Sequence, residues 1–160
     1  MSHSVLFICT GNIFRSLTAE YALRAALGSG SNVTVSSAGT EDFPHVVWDV
    51  VRDYLLSQGF DVARHVRRTL TADILRSATL PIAMSTEHRD FVRVRFRRTL
   101  PLFTEVCGLD GPLPDVDEAV PDFKRNPAAA LAHIRFTIDR IIALTPQLAA
   151  RIMRDEFPVA

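Results

Sequence analysis

Apolar and polar positions alternate along this chain with two different periods. Val5-Leu6-Phe7-Ile8 is a short continuous apolar run that meets a glycine-containing turn at once, the pattern of a parallel strand buried on both faces. From Ser16 onward, Leu17, Tyr21, Leu23, Ala25 and Leu27 recur at helical spacing among Glu20 and Arg24, until Gly28 and Gly30 stop the run. Val33-Thr34-Val35-Ser36 predicts a second strand running into Ser37-Ala38-Gly39-Thr40, and the apolar face over 46–58, closed by Gly59, predicts a second helix. A short helix over 71–76, a third strand over 80–84, a helix with an arginine-rich face over 86–97 and a fourth strand near 100–103 continue the alternation. The Gly-, Pro- and Asp-rich stretch over 108–122 predicts a long irregular loop, and a long helix over 127–152 follows it. This order predicts an α/β fold: one domain over 1–160, built as an open parallel four-stranded sheet with helices on both faces and right-handed crossovers.

Composition narrows the function classes. The 160 residues suffice for one well-cored domain. Lys plus Arg equals Asp plus Glu at 18 each, so no global field recruits nucleic acid or a membrane surface, and recognition has to be local. Two cysteines, Cys9 and Cys107, make no disulfide framework and lack the paired spacing of a zinc site, which fits reduced thiols and a cytoplasmic location with no metal or cofactor. The N-terminus has neither the basic cluster nor the apolar length of a signal peptide or membrane span. The arginines at 89, 93, 95, 97 and 98 read as a solvated face, and His45, His65, His88 and His133, scattered without ligand spacing, as exposed or capping residues.

The first turn carries the chemistry. In an open α/β sheet ligands bind beyond the carboxyl ends of the strands, and Cys9-Thr10-Gly11-Asn12-Ile13-Phe14-Arg15-Ser16 sits at such a place. A loop of this kind points successive N–H groups inward, and the following helix adds its positive dipole end, so phosphate is the natural occupant. Thr10 to Ser16 would supply the amides, with Asn12 suited to a left-handed conformation and Ser16 to an N-cap or to donation toward sulfur. The N–H dipoles and Arg15 favour a thiolate at Cys9. Five residues between Cys9 and Arg15 let the guanidinium fork two phosphate oxygens opposite the sulfur, the arrangement needed for in-line attack on phosphorus.

These residues, Val5 to Asn12 with Arg15-Ser16 and Ala19-Glu20, resemble the signature of the low-molecular-weight protein tyrosine phosphatases, and Ser37-Ala38-Gly39-Thr40 strengthens the likeness. The resemblance implies metal-free hydrolysis of phosphotyrosine in proteins through a phosphocysteine on Cys9, with Arg15 and the loop amides holding the phosphoryl oxygens. It also implies an aspartic acid that protonates the leaving phenol and then serves as base. The family's Asp-Pro-aromatic motif for that acid is absent here. Asp115, Asp117 and Asp122 are the candidates, and Asp122 is preferred over the runner-up Asp115 because counting from it into the last helix reproduces the family's apolar spacing at Leu131, Ile134 and Ile138. Phe43 and Phe123 are the expected aromatic walls for the phenyl ring, whereas Trp48 falls within a helical apolar pattern and reads as core. Some family members carry a second cysteine inside the loop, where this chain has Phe14, and their usual acidic residue after the third strand is Ser85 here. The expected partners are phosphotyrosine-containing proteins or peptides and phosphate-like anions. Two rivals stay open: a non-catalytic phosphate-binding module, and an arsenate reductase using Cys9 and Cys107.

Overall fold

The computed structural model describes residues 2–157, apart from the side chain of Asp117, which lies outside the described residues. β1 (Ser4–Cys9) lies at the centre of a three-stranded sheet of order β2-β1-β3, with β2 (Thr34–Gly39) on one side and β3 (Leu80–Ala83) on the other. Both pairings are parallel, with Val5 opposite Val35 and Leu80, and Ile8 opposite Ala38 and Ala83. The continuous apolar run is explained by this central position, since Val5 to Cys9 are all buried.

Helices cover both faces. Val5, Phe7 and Cys9 pack with Ala19 and Leu23 of α1 (Arg15–Leu27) and with Ile141 and Leu148 of α7 (Pro127–Met153). Leu6 and Ile8 on the opposite face meet Leu75 of α3 (Ala72–Ser77) and Val92 of α4 (Thr86–Phe96). α2 (Asp49–Ser57) places Val51 and Leu55 against Leu17 of α1 and Ile138 of α7. Because β1 is followed by β2 on one side and β3 lies on the other, the strand order reverses at the carboxyl end of β1, the point where open α/β sheets bind ligands.

The sheet has three strands rather than the four predicted. The segment expected as a fourth makes one isolated bridge, Ala83 to Leu102, with the Ala83 N–H donating to the Pro101 carbonyl at 3.0 Å. Proline has no N–H to extend a ladder, and the chain turns directly into α5 (Phe103–Val106). The predicted loop over 108–122 is irregular except for α6 (Val116–Ala119). The second helix starts three residues later than its apolar pattern suggested, which leaves Val46 and Trp48 outside it. Among the described residues, no helix is long and apolar enough to cross a membrane.

Candidate active site

The turn after β1 closes around Asn12. Its backbone is left-handed, with φ of 58°, a conformation that asparagine tolerates better than most residues. Its side chain ties three segments together: Nδ2 donates to Ser16 Oγ at 2.9 Å and to Ser37 Oγ at 2.7 Å, while Oδ1 accepts from the Arg68 N–H at 3.0 Å. Ser37 in turn donates to the buried carboxylate of Glu20. His65 Nε2 lies 2.8 Å from the Asn12 carbonyl and Arg67 Nε donates to that of Gly11 at 3.0 Å, so the outer side of the turn is fastened as well. Gly39 is required by close approach, since a Cβ there would lie 2.6 Å from the Thr10 carbonyl oxygen.

Cys9 Sγ lies 2.9 Å from Ser16 Oγ. Because that hydroxyl accepts from Asn12 Nδ2, its own proton is free to point at the sulfur. Ser16 is therefore not the N-cap expected of it; Phe14 occupies that place and α1 begins at Arg15. Arg15 is buried, with Nη1 donating to the Leu113 carbonyl at 3.1 Å and Nη2 to Asp115 Oδ2 at 2.7 Å. Cys9, Thr10, Gly11, Ile13, Phe14 and Arg15 line one pocket of about 110 Å³, whose remaining wall is His45, Trp48 and Asp115.

A profile of the low molecular weight phosphotyrosine protein phosphatases matches residues 4–156. The chain belongs to that family. It is 37% identical over 87 residues to the low molecular weight protein-tyrosine-phosphatase Etp of Escherichia coli K12, covering 54% of this chain and 57% of Etp. It is 32% identical over 101 residues to the protein-arginine-phosphatase of Bacillus subtilis, covering 59% of this chain and 63% of that one. The chain thus spans less than two thirds of the length of the curated relatives it matches. In three dimensions it is similar to the YwlE arginine phosphatase, in a mutant with phosphorylated active site serine, at a TM-score of 0.79 and 26% identity over 95% of this chain and 97% of that chain.

Of the candidate acids and aromatic walls, the runner-up Asp115 lines the Cys9 pocket, and the preferred Asp122, Phe43 and Phe123 do not. Asp115 is the carboxylate at the Cys9 pocket, where α6 begins and its other oxygen accepts from the Val116 N–H at 2.7 Å. Asp122, the preferred candidate, lies in a separate depression with Pro121, Phe123, Lys124 and Arg125. Phe123 is therefore away from the pocket, with the Lys124 ammonium 6.0 Å from its ring. Phe43 is 61% exposed and does not line the pocket, but packs edge-on against His45, which does, with ring centroids 5.2 Å apart. Trp48, read as core, is 40% exposed and stands at the pocket against Phe14, centroids 6.4 Å apart. An apolar residue and a proline precede both carboxylates, Leu113-Pro114 before Asp115 and Val120-Pro121 before Asp122, so the sequence offered no signal to separate them.

Two further groups bear on the chemistry. Cys107 is buried with Phe103, Ile141 and Leu148, its thiol 3.9 Å from the Leu144 carbonyl, and burial pushes its pKa up to about 12. A thiol so protonated is a poor nucleophile at neutral pH. His88, expected at the surface, is fully buried, and burial together with the Arg15 charge lowers its pKa from the ordinary 6.5 to about 3. Between those two values the unfolded chain takes up a proton that the folded protein refuses, so the contribution of His88 to stability is complete above 6.5 and is lost as pH falls toward 3. Denaturant titrations at pH 7 and pH 5 are expected to show the parent losing about 2 kcal/mol more than His88→Gln. Equal losses would mean that the buried imidazole does not set the acid limb.

Proposed function

We propose that this protein hydrolyses phosphotyrosine in proteins through a phosphocysteine on Cys9, as a metal-independent phosphoric monoester hydrolase. The observation that carries the reading is the ordered chain Asn12–Ser16–Cys9, which aims a hydroxyl at a sulfur that shares one small pocket with Arg15. The Cys9 thiolate attacks phosphorus in line, forming the S–P bond as the P–O bond to the tyrosine ring breaks. Arg15 and the amides from Thr10 to Ser16 take up the phosphoryl oxygens. The general acid in this reading is Asp115, in preference to Asp122, because it shares the pocket with Cys9; its proton goes to the leaving phenolate oxygen. Water then attacks phosphorus, passing a proton to Asp115, and the S–P bond breaks to return the thiolate and release inorganic phosphate. The phosphorylated active site serine in the similar YwlE structure supports a covalent phospho-intermediate in this reading.

The choice of tyrosine rests on Ile13, Phe14 and Trp48, an apolar and aromatic surround suited to a phenyl ring in place of the previously expected Phe43 and Phe123. The second reading, phosphoarginine, is favoured by the likeness to the protein-arginine-phosphatase. An arginine side chain would bring N–H donors against that surround, and each one left unpaired costs about 1–3 kcal/mol. Peptides carrying phosphotyrosine or phosphoarginine in the same flanking sequence separate the two. A kcat/KM at least about tenfold higher for phosphotyrosine is expected, and the reverse order would reassign the substrate. A protein that binds phosphate and turns over neither peptide would be the non-catalytic module. The arsenate reductase reading loses support from the buried, protonated Cys107. Free cysteines at 9 and 107 fit a reducing compartment, and we place the protein in the cytoplasm on that ground.

A further inference from the structure

Thr10 Oγ1 has one hydrogen-bond partner among the described residues, His88 Nε2 at 2.9 Å. Which of them donates follows from the other side of the ring. The backbone N–H of Ser85 points at His88 Nδ1 at 3.1 Å, and a backbone amide can only donate, so Nδ1 carries a lone pair. A neutral imidazole with its lone pair on Nδ1 has its proton on Nε2. His88 Nε2–H therefore donates to Thr10, and the Thr10 hydroxyl, having accepted, must send its own proton elsewhere. His88 is fully buried at the start of α4, so water does not take its place. Thr10 itself is half-buried and forms part of the wall shared with Cys9 and Arg15. The sulfur already has its donor in Ser16, and phosphoryl oxygens are the acceptors that a filled pocket would bring to this side.

We propose that the Thr10 hydroxyl donates to a nonbridging phosphoryl oxygen in the Cys9 pocket, and that His88 is the positioning residue that aims it. The inference rests on the pocket being a phosphate site, and it adds to the loop amides a side-chain donor with a dedicated support. His88 touches neither phosphate nor sulfur; it acts through Thr10.

The test reads binding separately from turnover. Trp48, the single tryptophan of the chain, lines the same pocket, so its fluorescence follows titration with inorganic phosphate in the full-length protein. Thr10→Val is expected to weaken phosphate binding by about ten- to a hundredfold, the range for a hydrogen bond to a charged group, while Thr10→Ser stays near the parent. His88→Leu is expected to weaken it similarly in the presence of Thr10 and to add little in the Thr10→Val background, and His88→Gln, which can still present an N–H, to recover part of the loss. Parent-like affinity in Thr10→Val, or the same cost of His88→Leu with and without the hydroxyl, overturns the proposal. If His88→Leu does not fold, the Thr10→Val and Thr10→Ser pair decides alone. A parent that shows this pattern but hydrolyses no phosphomonoester would keep the inference and sink the phosphatase reading; a parent that does not bind phosphate would sink both.

Discussion

Cys9→Ser is expected to reduce hydrolysis of para-nitrophenyl phosphate, with EDTA present, to the detection limit while leaving the fold intact. The sulfur is buried at the end of the central strand and bonded to Ser16 Oγ, so an oxygen in its place keeps a partner and nearly the same volume. What is lost is the ionised nucleophile, because a serine hydroxyl has no adjacent base: its nearest partner, Ser16, is itself a donor fixed by Asn12. Steady-state rates beside a thermal unfolding curve check both halves. Retained turnover in a folded Cys9→Ser protein would remove the covalent mechanism.

Asp115→Asn is the second large effect. General acid catalysis contributes about 10²–10⁴-fold, and the loss should fall on kcat for poor leaving groups such as phenyl phosphate more than for para-nitrophenyl phosphate, whose leaving oxygen needs less help. Asp122→Asn, altering a carboxylate in a different depression, is expected to stay within about twofold of the parent, as a surface substitution does. The substitution at Asp115 also replaces the charged partner of Arg15, so phosphate affinity is measured alongside. A slow Asp122→Asn beside a parent-like Asp115→Asn would return the acid to the later position.

The part of the molecule legible in the sequence is the part set by local chemistry. The strand before Cys9, the Gly-Asn turn and α1 each follow from a period or a backbone preference within a few residues, and they assemble the phosphate loop. Helices on both faces of a parallel sheet follow from the alternation itself. What escaped depends on contacts distant in sequence. Asp115 reaches Arg15 across a separation of 100 residues, and no local pattern distinguishes it from Asp122. Trp48 fits a helical apolar pattern, yet the helix begins after it, so the ring turns to the pocket instead of the core. His88 sits three residues into a helix capped at Ser85, a place that looks like a solvent-facing first turn until Thr10, from the turn after β1, comes against its ring. The missing fourth strand is different: Pro101 was visible, and its lack of an N–H was reason enough to expect a single bridge.

The Arg15–Asp115 contact sets a carboxylate of the protein itself on the guanidinium that an oxyanion in the pocket would meet. Each terminal guanidinium nitrogen spends one N–H here, Nη2 on the carboxylate and Nη1 on the Leu113 carbonyl, and keeps a second. In the proposed mechanism an oxyanion that needs those same two N–H groups competes with the oxygens now on them, and its affinity would be the intrinsic one reduced by the fraction of molecules in which the clamp is open. The same competition would run in reverse at the end of a cycle, with Asp115 reclaiming the arginine as product leaves. If Asp115 is the acid, the 113–115 segment would influence both product inhibition and turnover by how readily it lets the arginine go.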